Sequence, residues 1–280
     1  MRIILSAICL FLVLSLNAQY YYKDIIITNE TNRQMQAFRQ NKVLTVTAIG
    51  FDQLGVKNPD FSEEQEMMKN ANALKIATSG NPVGLSILYM DFDKENRLIH
   101  STDSSKDVLS KTSYSYDNAG RIAEIKNTSS DSGKTISIAE VHKWTYNEAG
   151  KPVKMLRIVN NNDTTEVRFT LDEKGNVIDE RPFKKGKEGE MTYYYYDDRN
   201  RLTDIVRYNA KIKKLMPDYL FEYDDADRVI QKITTLSNLN LGYLIWRYAF
   251  DNKGLKTKEA LFNKDKVMTG KIEYSYTFTQ

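Results

Sequence analysis

Few residues of this 280-residue chain have the types and spacing of a catalytic or metal-binding centre. Its two histidines, His100 and His142, have no second histidine and no cysteine at the spacing of a metal site. His142 alternates with Trp144 and Tyr146, which indicates a strand residue rather than a ligand or a general base. The sequence contains no Gly-x-Ser-x-Gly motif and no glycine-rich phosphate loop. We therefore expect no enzyme activity, no metal and no cofactor.

Aromatic side chains offer the remaining candidate binding surface. Trp144, Trp246, Tyr193 and Tyr195 could form a platform for a glycan or a peptide, because aromatic residues are enriched at binding surfaces. The two tryptophans occupy the inward positions of a repeated strand pattern, so we expect them to be buried. Tyr193 and Tyr195 lie off that inward face and are the candidate binding residues. The expected partner is a surface glycan or an envelope protein.

A strand–turn–strand unit recurs along most of the chain and must position any such residues. In its clearest copy, Tyr114 and Tyr116 alternate before Asp117, and Gly120 follows three residues later. An aspartate at the first turn position accepts backbone hydrogen bonds, and a glycine at the fourth adopts a positive φ without steric cost. Gly, Asn or Asp fills the fourth position of all seven copies, and Asp52–Gly55 is a weaker eighth. The seven turns recur about every 26 residues and begin at Asp93, Asp117, Asn147, Asp172, Asp197, Asp224 and Asp251.

The repeated motif Phe/Tyr-Asp-x-x-Gly/Asn-Arg-Leu/Ile/Val resembles the YD repeat of the RHS-repeat family over roughly residues 85–280. The resemblance implies consecutive antiparallel β-hairpins in a curved or spiralling sheet, as in large secreted shells and surface proteins. This chain is too short to enclose a toxin, and its last copy, Gly254-Leu255-Lys256, lacks the arginine. The family contributes no catalytic residues to this chain.

The repeats predict a mainly β fold in which antiparallel hairpins form a curved, rolled or solenoid-like sheet. One face of the outgoing strands is aromatic, so the sheet must cover that face by curling on itself or by stacking. A short N-terminal helix is predicted over Thr31–Gln40, and polar stretches such as Ser101–Lys111 and Asn127–Thr135 are predicted to be long loops. Residues 19–84 are predicted to form an irregular capping region before the repeat domain, 85–280.

The first 18 residues predict a secretory signal peptide. Arg2 precedes the apolar run Ile3–Leu16, and the small residue Ala18 ends the segment. The run is shorter than the roughly 18–20 residues of a spanning helix, and Cys9 lies in mid-run rather than in a lipobox. Cleavage before Gln19 leaves the exported chain without a cysteine and without disulfides. We expect the periplasm, the outer surface or the extracellular space.

Together these patterns predict a non-catalytic secreted or cell-envelope β-repeat protein that acts as a binding or structural module. The formal net charge of +3 gives no argument for nucleic acid as a partner. The alternative is an outer-membrane β-barrel, with aromatic side chains outward, polar ones inward, and short turns opposite long loops. Charged return strands such as Asp179-Glu180-Arg181 and the final Gln280 count against that alternative. An enzyme is a third interpretation with no motif to support it.

Overall fold

The computed structural model describes residues 20–68, 72–80, 84–105, 107–131, 133, 135–209, 213–236 and 242–279. The predicted signal peptide lies outside the described residues. One helix, α1 (Lys23–Gln40), precedes the strands of a single antiparallel sheet. The strands are β1 (Val43–Asp52), β2 (Lys57–Met68), β3 (Ala73–Gly80), β4 (Gly84–Phe92), β5 (Leu98–Ser104), β6 (Val108–Tyr116), β7 (Ile122–Asp131), β8 (Ser137–Tyr146), β9 (Pro152–Val159), β10 (Asp163–Leu171), β11 (Val177–Lys184), β12 (Lys187–Glu188), β13 (Thr192–Tyr196), β14 (Leu202–Asn209), β15 (Lys214–Tyr223), β16 (Val229–Thr235), β17 (Tyr243–Phe250), β18 (Lys256–Phe262) and β19 (Met268–Phe278).

The sheet closes on itself. Strands that follow each other in sequence pair with each other, and β19 also pairs with β1, from Phe278 opposite Val43 to Gly270 opposite Asp52. Because β12 and β13 both pair with β11, the 19 segments occupy 18 positions around a closed barrel. Closure removes the two free edges that an open sheet would have. The prediction of a rolled or solenoid-like sheet of RHS/YD repeats is therefore wrong, although the chain is mainly β with one N-terminal helix.

The predicted turns form, and their first residue organises each of them. Asp117 Oδ1 accepts hydrogen bonds from the N–H groups of Ala119 and Arg121, both at 2.9 Å, and Gly120 has a φ of +76°. Six further turns repeat this pair of side-chain bonds; they begin at Asp52, Asp93, Asp172, Asp197, Asp224 and Asp251. The local motif thus specifies the hairpin, as the sequence indicates.

Not every turn lies at the same end of the barrel. Seven turns, beginning at Asp93 and ending with the one at Asp251, lie at one end, which we call the turn end. The weaker copy at Asp52 lies at the opposite end, because Asp52 is opposite Gly270 near the start of β19. A further turn of the same kind begins at Asn263 and also lies there, and it was not among the predicted turns.

An arginine and an aromatic ring connect four of the seven turns to the next hairpin. Arg121 donates from Nε to Asp117 Oδ2 at 2.7 Å, and its guanidinium lies 4.5 Å from the ring centre of Tyr146 in the next hairpin. The Tyr146 hydroxyl donates to the carbonyl oxygen of Ile122 at 2.8 Å. The same stacking joins Arg97 to Tyr116, Arg201 to Tyr223 and Arg228 to Phe250. The Tyr-Asp-x-x-Gly-Arg pattern is therefore explained by contacts between neighbouring hairpins of a barrel wall.

The repeated aromatic residues face the lumen, and α1 lies against them. Tyr194, Trp144 and Phe169 are almost completely buried. The ring of Tyr22, just before α1, lies 5.4 Å from that of Tyr194. Further along α1, Met35 and Phe38 pack with residues of β1, β3, β4 and β5. The aromatic face is thus covered by closure of the sheet and by the helix inside it.

The long loops predicted opposite the turns are mostly strand. Only residues 105–107 separate β5 from β6, and β7 continues to Asp131. The polar side chains of these segments bond to one another across strands, as when Asn127 Nδ2 donates to Ser110 Oγ and to Thr112 Oγ1, each at 2.8 Å. Polar composition does not end the strands here because the side chains find partners inside the barrel.

Candidate functional site

The start of α1 is held by a carboxyl group from the barrel wall. Tyr22 is the N-cap residue and provides no side-chain cap of its own. Glu180 on β11, which is 1% exposed, accepts hydrogen bonds from the N–H groups of Tyr21 (2.8 Å) and Tyr22 (2.9 Å). The first N–H groups of a helix have no partner within the helix, and its N-terminus attracts negative charge. Glu180 therefore acts as the cap from a strand 158 residues away in sequence.

A second anchor joins the first turn of α1 to strands β8 and β9. His142 Nδ1 lies 2.6 Å from Asp24 Oδ2, and His142 Nε2 lies 2.7 Å from Glu140 Oε1. Arg157 donates to both oxygens of Glu140, at 3.0 and 2.6 Å. Both ring nitrogens of His142 are therefore engaged by carboxylates. His142 is the strand residue that the alternation predicted, and its contacts attach the helix to the wall.

A third polar cluster lines the lumen where β18 and β19 meet. Lys256 Nζ lies 2.9 Å from Glu259 Oε2, and the Tyr274 hydroxyl donates to the same oxygen at 3.2 Å. The Lys256 ammonium also lies 4.8 Å from the ring centre of Tyr274. On β2, which β1 separates from β19, Gln65 Nε2 donates to Glu63 Oε1 at 2.8 Å. Lys256 and Glu259 thus neutralise each other, and Glu63 accepts hydrogen bonds from Gln65 and Thr78 of the wall.

The structure separates the four aromatic residues that the sequence placed on one platform. Trp144 and Trp246 are on the lumen side and are buried, as expected. Tyr193 and Tyr195 point to the outer side of β13, because Tyr194 between them faces the lumen. Tyr195 is 47% exposed. Tyr193 and Tyr195 remain candidate binding residues, without the tryptophans.

The outer side of the wall is highly charged over the first half of the barrel. On β8, Lys143 alternates with the buried side chains of His142 and Trp144 and so points outward. Outward positions of neighbouring strands likewise carry charges, which form pairs such as Lys143 with Glu124 (3.6 Å) and Arg168 with Glu166 (2.7 Å). The outward charged residues of β2 to β11 include Glu64, Lys75, Asp91, Lys111, Glu124, Lys126, Lys143, Lys154, Arg168 and Arg181.

The outer side of the later strands carries a short apolar row. Ile233 of β16 is opposite Ile245 of β17, which in turn is opposite Phe262 of β18. Arg247 partly covers this row, since its guanidinium lies 4.9 Å from the ring centre of Phe262. This apolar row is short, because outward charges such as Lys258 and Glu273, 3.9 Å apart, continue beside it on β18 and β19.

Within the described ranges, no group of three or more His, Cys, Asp or Glu residues could hold a metal ion. No helix in that same part of the chain is long and apolar enough to cross a bilayer.

No protein-family model matches the sequence, and no curated protein matches it. Among solved structures, the chain is similar to a porin-like protein from Bacteroides uniformis, with 10% identity over 84% of this chain and 98% of that one, at a TM-score of 0.44. A porin-like protein from Bacteroides vulgatus matches with 12% identity over the same shares, at a TM-score of 0.29. The Photorhabdus luminescens Tc holotoxin pore matches with 15% identity and a TM-score of 0.34, over 78% of this chain but only 12% of that one.

These TM-scores are low, and the fold assignment therefore rests on the strand pairing itself. The closing pair β1–β19 leaves no free edge on which a repeat array could continue. A closed antiparallel barrel fits an outer-membrane or cell-envelope location. It supports the alternative interpretation, an outer-membrane β-barrel protein, over an open repeat sheet that binds a partner.

Proposed function

We propose that the protein is a non-catalytic outer-membrane β-barrel whose lumen is occupied by its own N-terminal helix. The observation that carries this proposal is the closed pairing of β1 with β19 around α1. A sheet can lie in a bilayer only when its edges are paired, since lipid offers no hydrogen bonds to free N–H and C=O groups. Closure meets that condition.

The contacts of α1 support a filled barrel rather than an open pore. Met35 and Phe38 are buried against the wall, and Tyr21 is 8% exposed. The carboxyl groups of Asp24 and Glu180 attach the first turn to β8 and β11. We therefore expect the barrel to support or bind an envelope partner and to conduct ions poorly.

The outward charges favour a second candidate, a barrel that stands in the aqueous part of the envelope and binds a glycan or an envelope protein. A transmembrane barrel has an outward apolar band, and a lysine or arginine on its lipid face costs about 2–4 kcal/mol at the bilayer midplane. Lys143, Lys154 and Arg168 point outward from the three consecutive strands β8, β9 and β10. This charged side is readily solvated by water, while the apolar row of β16 to β18 would face a partner.

Fractionation of the full chain, with residues 1–18 included, separates the two candidates. The outer-membrane candidate predicts recovery in outer membranes of a Gram-negative host, retention after an alkaline wash, and a monodisperse particle only in detergent. The aqueous candidate predicts a periplasmic or secreted monomer that needs no detergent, and that result would exclude the first. Retention in the cytoplasm would contradict the predicted export on which both depend.

Conductance measures the state of the lumen for the outer-membrane candidate. Purified wild-type protein added to a planar bilayer is expected to give no stable open channels. The variant Glu180→Ala, which releases the start of α1, is expected to open more often. Large, stable wild-type channels would contradict a helix-filled lumen.

A further inference from the structure

A polar cleft lies at the turn end, between the exposed side of α1 and the turn that begins at Asp93. It has a volume of about 370 Å³, which falls within the roughly 300–1,000 Å³ of small-ligand sites. Four of its lining side chains are carboxamides, and none is apolar. The lining residues are Asn29, Asn32, Arg33, Gln36, Glu95 and Asn96. This cleft is separate from the anchors of α1 and from the outer-wall tyrosines.

The lining suits a neutral ligand rather than an anion or an apolar molecule. A carboxamide both donates and accepts hydrogen bonds, as a hydroxyl group does. The two charged residues of the cleft are of opposite sign, and each has a nearby partner: Arg33 lies 3.3 Å from Glu30, and Glu95 lies 3.4 Å from Arg97. Little net charge is therefore left to bind a phosphate.

One lining atom requires a donor that the protein does not provide. Asn96 Oδ1 is buried and makes no hydrogen bond. A buried acceptor without a partner is unfavourable, and rotation of the carboxamide toward the cleft would bring it to a ligand hydroxyl that satisfies it. The turn does not need this side chain, because Gly120, Gly150 and Gly175 fill the same position elsewhere.

The helix presents the remaining amides to the same space. Asn29, Asn32 and Gln36 are spaced three and four residues apart, so they lie along one side of α1. Asn32 Oδ1 accepts a hydrogen bond from the N–H of Leu98 at 2.8 Å, which attaches the helix to the start of β5 next to the cleft. Asn29 and Gln36 are exposed and free to contact a ligand.

From these observations we infer that the cleft between α1 and the Asp93 turn is a binding site for a neutral saccharide. The carboxamides of Asn29, Gln36 and Asn96 would exchange hydrogen bonds with its hydroxyl groups. This inference does not depend on whether the barrel lies in the membrane, because the cleft is formed by α1 and a turn and not by the outer wall.

The test starts from a glycan array probed with the purified protein, followed by calorimetric titration with the neutral saccharide that binds best. Asn96→Gly removes the unpartnered acceptor and keeps a residue suited to the φ of +65° at this position. Asn29→Ala and Gln36→Ala remove amides from an exposed helix side at no cost in helix propensity. Each variant is expected to weaken binding about three- to tenfold, the effect of one neutral hydrogen bond.

Asn200→Gly is the matched control, since Asn200 occupies the equivalent turn position at a φ of +59° and lies outside the cleft. It should bind the saccharide as tightly as wild type. The inference is overturned if no neutral saccharide binds, if inorganic phosphate binds in its place, or if Asn96→Gly binds as wild type does. Loss of binding in Tyr195→Ala, with Asn96→Gly unaffected, would move the site to the outer wall and would also overturn it.

Discussion

Replacement of Glu180 with alanine tests how α1 is held inside the barrel. The change leaves the N–H groups of Tyr21 and Tyr22 without their acceptor in a buried place. A hydrogen bond contributes about 0.5–1.5 kcal/mol, and about 1.5–3 kcal/mol when its acceptor is charged, so the two bonds contribute about 1–6 kcal/mol. That loss corresponds to a roughly 5- to 10⁴-fold rise in local opening of the helix start.

Hydrogen exchange followed by mass spectrometry measures this opening directly. Peptides that cover residues 20–30 are expected to lose protection in Glu180→Ala, because the helix start detaches while the wall stays paired. Peptides from β1 and β19 should keep theirs, since the closing strand pair does not involve Glu180. Glu180→Gln keeps one carbonyl oxygen as an acceptor and should show an intermediate loss.

Glu166→Ala is the matched control for this experiment. Glu166 is a carboxylate on the neighbouring strand β10, and it pairs with the outward Arg168 at 2.7 Å rather than with the helix. Its removal should leave the protection of residues 20–30 unchanged. Equal protection of that segment in Glu180→Ala and wild type would refute the assignment of Glu180 as the cap of α1.

Three further predictions concern the turn end. Gly150→Ala should lower the free energy of unfolding by more than Gly55→Ala. Both glycines have a positive φ, at which an alanine costs about 1–2 kcal/mol, but only at Gly150 would the new Cβ also lie 2.9 Å from Arg121 Nη1. Equal losses of stability in urea unfolding would contradict this. Tyr146→Phe should lower the free energy of unfolding by about 0.5–1.5 kcal/mol in the same assay, because it removes the hydroxyl that donates to the Ile122 carbonyl oxygen of the preceding hairpin. An unchanged unfolding midpoint would contradict this. Hydrogen bonds from the Arg121 side chain and N–H lower the pKa of Asp117. The Asp117 carboxylate therefore stabilises the fold at neutral pH, and this stabilisation is lost as the pH falls below about 4. Asp117→Asn should make the free energy of unfolding less dependent on pH in that acid range.

The hairpins could be predicted from sequence because their signals are local. Asp117 and Gly120 are three residues apart, and the bonds that form their turn reach no further than Arg121. Strand alternation likewise placed Trp144 inward and Tyr195 outward, since neighbouring side chains of a strand point to opposite faces. The turn at Asn263 escaped detection because lysine, Lys266, holds its left-handed position in place of Gly, Asn or Asp.

The start of the helix and the burial of Glu180 were predicted less well. α1 begins at Lys23, eight positions before the predicted start, because Glu180 supplies its cap from a distant strand. The same residue stood in a charged run that counted against a barrel, yet its carboxyl group points inward and is nearly inaccessible. No sequence pattern connects two groups so far apart.

The sequence by itself determined the unit of this protein: strand, Asp-headed turn, returning strand, and the arginine and tyrosine that join one unit to the next. Those contacts span at most one repeat, so they are the same whether the sheet stays open or closes. Only the tertiary structure decided closure, because the pairing of β1 with β19 joins residues more than 200 positions apart. That pairing depends on the accumulated twist and register of the whole wall and on the helix within it, and it changes the prediction from an open repeat sheet to a filled barrel.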